Sequence, residues 1–199
     1  MYHSMLPIEK PIVENLYQHF NWRRIWSNFC ELKIRPFEKE IIYKHLHVCL
    51  ATNSRLAWFN LANSNTCNLC RDDKEQTALH IFYECTYISP FYQWFLNVLV
   101  QICHFKPDSN IRFLYFDCLY ANIYQRRVCN LFLAIYISIV WRKRKENLRI
   151  GVLKKVFIKT VYDNMNIRKQ VLHKSLEEIY GQYSARLTYV ELNKLWFKY

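Results

Sequence analysis

The sequence predicts a mainly all-α protein, a helical array organised around one short cysteine–histidine cluster. Only two glycines and five prolines stand among 199 residues, and such a scarcity of turn formers favours long helices over many short strands. Apolar residues recur at helical spacing in segment after segment. At 52% hydrophobic and 17% aromatic, the chain carries enough apolar mass for one domain or two small ones, which excludes disorder of the whole.

The N-terminal stretch MYHSMLPIEKPIVENLYQ has no basic segment followed by an apolar one, so no secretory signal is read, and an intracellular setting, nuclear or cytoplasmic, is expected. In NWRRIWSNF, residues 21–29, Trp22, Ile25, Trp26 and Phe29 form the stripe of one helix face. After the turn-like IRP, a second helix fits roughly residues 37–50, with Ile41, Ile42, His45, Leu46 and Cys49 in helical spacing. His45 and His47 point in different directions on such a helix and are read as structural or surface residues. Thr52, Asn53 or Ser54 can cap a third helix, SRLAWFNLA, whose Leu56, Phe59 and Leu61 are expected to pack inward.

Beyond the cluster, SPFYQWFLNVLVQIC opens on Pro90, suited to a first helical turn. The most apolar run, VCNLFLAIYISIVW at 128–141, would span about 21 Å as a helix, short of the ~30 Å hydrocarbon core, so no membrane contact is expected but a buried helix, with its β-branched content leaving a strand open for part of it. From Gly151 the spacing predicts one long or broken amphipathic helix, and YVELNKLWFKY a final docking helix. No repeat, low-complexity tract or Gly/Ser linker marks a boundary. The division expected is a helical metal-binding domain over 1–104 and a basic helical region over 105–199.

The cluster is CNLCRDDKEQTALHIFYEC, residues 67–85, a C-x2-C-x9-H-x4-C pattern of Cys67, Cys70, His80 and Cys85. Two cysteines two residues apart approach one ion from a tight turn, and a later pair completes a tetrahedron suited to zinc. Four protein ligands leave no open position, so one structural Zn2+ is expected. A thioredoxin-like redox pair would need a βαβ setting, and disulfides are disfavoured in a reducing compartment. A regular helix running from His80 through Cys85 would set the two about 140° apart around its axis. The helix carrying His80 must therefore end or tighten near Tyr83–Glu84, with Asp73 as its candidate N-cap. Cys30, Cys49, Cys103, Cys118 and Cys129 stand singly among apolar residues and are read as core thiols.

The net charge of +12 is uneven: residues 1–85 hold 10 Lys+Arg against 9 Asp+Glu, residues 86–199 hold 18 against 7. A localised basic excess is what polyanion binding requires, although a solvated helical surface of high pI gives the same count.

From Trp22 to Phe95 the chain resembles the zinc-binding region downstream of the reverse transcriptase in non-LTR (LINE-type) retrotransposons. The resemblance lies in NWRRIW, then L-A-T-N-S-R-L, C-x-x-C, T-x-x-H, a bulky pair, E-C and Trp94. It carries the metal ligands over to Cys67, Cys70, His80 and Cys85, and the R-L before the knuckle to Arg55–Leu56. The sequence departs from that pattern at Gln76, where Glu is frequent, and at Glu38, where an aromatic is. IVWRKRKEN looks like the helix that comes after the knuckle in such elements. The resemblance implies a piece of a retroelement polyprotein that helps hold RNA or DNA near a polymerase.

The expected function is thus a zinc-stabilised nucleic-acid-binding module for RNA and/or DNA, in which Arg126, Arg127, Arg142, Lys143, Arg144, Lys145, Lys154 and Lys155 contact phosphates and Trp141 stacks on bases. No enzyme activity and no small-molecule substrate are expected. The Y-F-D at 115–117 runs into Cys118 without the paired Asp of a polymerase motif. The alternatives are a protein-interaction module docking a reverse-transcriptase domain, and a retroelement fragment with no present role.

Overall fold

A computed structural model describes residues 18–70, 72–146 and 149–197. The N-terminal stretch read for a secretory signal, and the side chains that close the tail, lie outside them. The described residues are mainly helical and form no strand, only an isolated antiparallel bridge between Thr66 and Glu75.

Helix α1 (Trp22–Glu31) starts where the Asn21 side chain accepts the Arg24 N–H at 3.0 Å. Its stripe is formed as expected, with Ile25 buried and Trp22, Trp26 and Phe29 in successive ring contacts. Cys30, expected in the core, is exposed, because it lies two positions beyond buried Asn28 and so on the opposite face. Helix α2 (Pro36–Leu46) opens on Pro36, and the Glu38 carboxylate accepts the Arg35 N–H at 3.1 Å. It ends four residues before the expected limit, because Val48 turns left-handed at φ 53°. Cys49 therefore falls off the helix and is exposed, against expectation.

Helix α3 (Asn53–Trp58) is capped by Thr52, whose Oγ1 accepts the Arg55 N–H at 3.2 Å. Arg55 Nη1 donates to the Val48 carbonyl at 2.5 Å, so the Arg of the R-L pair clamps the left-handed turn after α2. Asn60 at φ 57° stops the helix and turns the chain away from its stripe. Phe59 and Leu61 are consequently 50% and 72% exposed rather than inward.

Helix α4 (Ser89–Cys103) buries Phe91, Trp94, Phe95, Val98 and Leu99, and short α5 (Asn110–Leu114) comes next. Helix α6 (Ile123–Lys143) is the centre of the molecule. Asn122 caps it, and every residue from Val128 to Val140 is buried, wrapped by α2, α4 and the helices C-terminal to it. By length and composition it would pass for a membrane span, but most of it is buried inside the protein, as expected of the 128–141 run. The Phe95 and Tyr136 rings stack at 4.5 Å, and Phe157 closes the cluster edge-on.

Helix α7 (Ile150–Leu172) buries Leu153, Phe157, Val161 and Met165 against α6. Of the two forms open for this segment, the broken one is found: His173 turns left-handed at φ 48°, and α8 (Leu176–Tyr180) restarts with a Ser175–Glu178 capping box. Gly181 at φ 54° then lets the backbone lie against the Tyr124 ring, where a Cβ would sit 2.8 Å from ring carbons. Two 3-10 turns lead to α9 (Tyr189–Phe197), which packs on α7.

A buried carboxylate ties the N-terminal helix to the middle of the chain. Asp117, 2% exposed, accepts from the guanidinium groups of Arg24 and Arg112 and from the Asn21 N–H. Asn28 Nδ2 donates to the neighbouring Phe116 carbonyl at 2.9 Å.

Candidate metal centre

Cys67, Cys70, His80 and Cys85 are brought together, all buried, with their ligand atoms within 4.8 Å of one another. Two local structures do this. The first is a small hairpin: the Cys67 N–H donates to the Lys74 carbonyl and the Gln76 N–H to the Asn65 carbonyl, each at 2.8 Å. Its tip carries the C-x-x-C, and the Leu69 N–H points back at the Cys67 sulfur at 3.4 Å. The second is a π-turn, His80–Glu84.

The π-turn resolves the angular problem posed by the spacing. The Cys85 N–H donates to the His80 carbonyl at 2.8 Å, an i to i+5 bond. A turn closed over five residues puts Cys85 above His80 on one side of the axis, where a regular helix would separate them. The spacing calls for a helix that ends or tightens at Tyr83–Glu84; it ends there, but by widening. Asp73 is not its cap, because it lies at φ 47° inside the hairpin. Thr77 caps instead, its Oγ1 accepting the His80 N–H at 3.0 Å.

The surroundings fix both halves. Tyr136, buried on α6, donates its hydroxyl to the Phe82 carbonyl inside the π-turn at 2.8 Å. Gln76, 4% exposed, accepts the Asn53 N–H on Oε1 at 3.1 Å, which aims its amide NH2 at the Cys67 sulfur 3.9 Å away. The Thr86 hydroxyl donates to Asp72 at 2.9 Å, closing the hairpin onto the loop after Cys85.

The donor set fits one zinc ion. The Cys67 and Cys85 sulfurs are 4.0 Å apart, and the Cys70 sulfur lies 3.3 Å from His80 Nε2. A tetrahedron with ~2.3 Å Zn–S and ~2.0 Å Zn–N bonds has edges of roughly 3.8 Å and 3.5 Å. Burial pushes the Cys85 thiol up to about 12 and raises Cys70 as well. Burial also opposes ionisation of Cys67, but hydrogen bonds from the Cys70 and Leu69 backbone and from Gln76 outweigh it and leave that thiol below its ordinary value. Burial lowers His80, keeping the imidazole neutral and its Nε2 lone pair available. Bound to these four, zinc supplies the positive charge under which three buried sulfurs can be thiolates, and it crosslinks hairpin to π-turn. All four positions are taken by protein, so the site is structural.

The basic residues singled out in the sequence do not form one patch. Arg126 and Arg127 sit near the start of α6 and Arg142–Lys145 at its end, roughly 24 Å away at 1.5 Å per residue. Several are engaged with the protein itself. Arg126 pairs with Glu31 at 2.8 Å, Lys143 with Glu146 at 2.8 Å, and Arg127 donates to the Ile179 carbonyl at 3.4 Å. Arg142 lies over the Phe37 ring, and Arg144 covers one face of Trp141 with its guanidinium 3.5 Å from the ring centre. Lys154 is 8% exposed and sits over Trp94, whereas Lys145 and Lys155 are exposed.

Sequence reasoning passed over Lys33, Arg168 and Lys174, which converge with Arg126 and Arg127 on one recess. The readable signal was Arg168: it continues the buried stripe Phe157, Val161, Met165 of α7, where an apolar residue belongs.

Residues 8–91 match the family model described as zinc-binding in reverse transcriptase. No curated protein and no solved structure matches the chain.

Proposed function

From the premise that residues 8–91 are a reverse-transcriptase zinc-binding region, we propose that this zinc-binding module holds RNA or DNA, with no polymerase site of its own. The observation that carries the reading is the basic half built onto the zinc fold: 18 Lys+Arg against 7 Asp+Glu after residue 85. Arg127, Arg142, Arg168 and Lys174 there form no ion pair among the described residues. Against catalysis speaks Asp117, the acid of Y-F-D, whose carboxylate is consumed by Arg24 and Arg112. The free state of the cysteines is in keeping with a reducing, intracellular setting.

Binding of single-stranded RNA and DNA as a function of salt tests the proposal. If about five phosphates are neutralised, log K falls against log salt with a slope of about −3.5 to −4.5. A flat response refutes it.

One observation favours a second reading, docking onto a reverse-transcriptase domain. Between α1, α2 and the end of α7 runs an apolar groove of about 600 Å³ walled by Phe29, Leu32, Ile34, Ile167 and Val171. Capture of such a domain that survives nuclease and high salt would support that reading over the first.

A further inference from the structure

We propose that the recess between α1, the start of α6 and the α7–α8 corner is a binding site for a phosphoryl group. The recess holds about 420 Å³ and is lined by Lys33, Arg126, Arg127, Arg168 and Lys174 with Glu31 and Glu178, five cations against two carboxylates. The two carboxylates are already engaged, and neither pairs with Lys33, Arg127, Arg168 or Lys174. Glu31 is taken by Arg126 at 2.8 Å, and Glu178 accepts the Ser175 N–H at 3.1 Å as part of the α8 cap.

Arg168 is the decisive residue. It is 7% exposed and forms no ion pair among the described residues. Its guanidinium is held in place by two neutral acceptors, the Lys33 carbonyl on Nε and the Tyr180 hydroxyl on Nη1, each at 3.0 Å. A buried charge ordinarily has a counter-ion, and this one lines a cationic recess without one. Arg127, with a single 3.4 Å contact to the Ile179 carbonyl, stands beside it. An anion completes the set. Donors arriving from the α1–α2 connection, α6, α7 and the α7–α8 corner suit three acceptor oxygens carrying about −1.5 to −2 charge better than the two oxygens of a carboxylate. The recess stands on this geometry alone. It rests on the nucleic-acid reading only for the source of the phosphate, which is either the terminal phosphate of a nucleic acid or a free phosphate compound.

Cys30 and Cys49 supply a built-in readout. Cys30 is exposed and lines the recess, while Cys49 is exposed elsewhere. In the zinc-loaded full chain, inorganic phosphate at constant ionic strength should slow alkylation of Cys30 saturably and leave Cys49 unchanged. Arg127→Gln and Lys174→Gln, both at the accessible rim, should each weaken that protection about tenfold, as the loss of a charge-assisted hydrogen bond does. A single-stranded oligonucleotide carrying a 5′-phosphate is then added. Displacement of the oligonucleotide by phosphate supports the site with nucleic acid as its source. Phosphate protection with oligonucleotide affinity untouched supports the site with a free phosphate compound as its ligand and removes this recess from the nucleic-acid reading. No saturable protection in the wild type, or equal protection in both variants, overturns the proposal.

Discussion

Tyr136→Phe isolates the coupling between the core and the metal centre. The substitution keeps the ring, which stacks on Phe95 and lies against Phe91 and Tyr92, and deletes one oxygen. That oxygen is the partner of the Phe82 carbonyl in the π-turn, and both residues are fully buried. Leaving a buried carbonyl without a partner costs about 1–3 kcal/mol. Deleting one hydroxyl oxygen adds little cavity, so about 2 kcal/mol is expected from denaturant unfolding of the zinc-loaded protein. Against a total of ~5–15 kcal/mol that is a large share. Because the same turn sets His80 and Cys85 over one ion, part of the loss should appear as weaker metal binding, about tenfold for each ~1.4 kcal/mol. Competition with a chromophoric chelator measures it. Unfolding within 0.5 kcal/mol of wild type, together with unchanged zinc affinity, would refute the role given to Tyr136.

Chelation of zinc, or Cys85→Ser or His80→Ala, should unfold at least residues 52–97, because structural zinc is worth ~10–16 kcal/mol in apparent binding free energy; amide exchange that stays slow there would contradict it. Gln76→Leu removes the amide that faces the Cys67 sulfur, and zinc affinity should drop about 10-fold; an unchanged competition curve would sink that assignment. Burial holds His45 at about 4 against an ordinary 6.5, with Nε2–H donating to the Leu114 carbonyl at 3.1 Å. The unfolded chain therefore binds the proton first, and stability complete above pH 6.5 is lost as pH falls toward 4, by up to about 3 kcal/mol. His45→Gln should show a shallower acid slope than wild type over that window, and parallel slopes would disprove the assignment. Asp117→Asn leaves Arg24 and Arg112 facing a neutral group; both are partly exposed, so about 2 kcal/mol and a melting point lower by roughly 4–8 °C are expected. A melting point unmoved by calorimetry would refute Asp117 as the tie between α1 and the middle of the chain.

The metal ligands were legible because all four fall within a short stretch and zinc demands few residue types. The spacing also stated the problem at Cys85, that a regular helix fails, but not its solution. Widening or tightening is decided by packing, here by the Phe82 carbonyl finding Tyr136 from a helix 54 residues later. Helix stripes were legible wherever the helix continued, and failed past Val48 and Asn60, where left-handed residues ended it and left Cys49, Phe59 and Leu61 outside. Charge was the least legible property. Composition counts cations, but Arg126 meets Glu31 across 95 residues and Arg168 meets the Lys33 carbonyl across 135, and only the fold reveals which charges are spent.

The wrapping of α6 sets an order on synthesis. When Cys103 has left the ribosome, Phe91 and Phe95 still face water, since the helix that covers them ends 40 residues later at Lys143. At ~5–20 residues per second that gap lasts roughly 2–8 s. During it the nascent chain presents an aromatic surface to chaperones and to its neighbours on the same message. The four metal ligands emerge before the gap, while Tyr136 arrives at its end. The four ligands thus exist before the residue whose hydroxyl braces the π-turn between them.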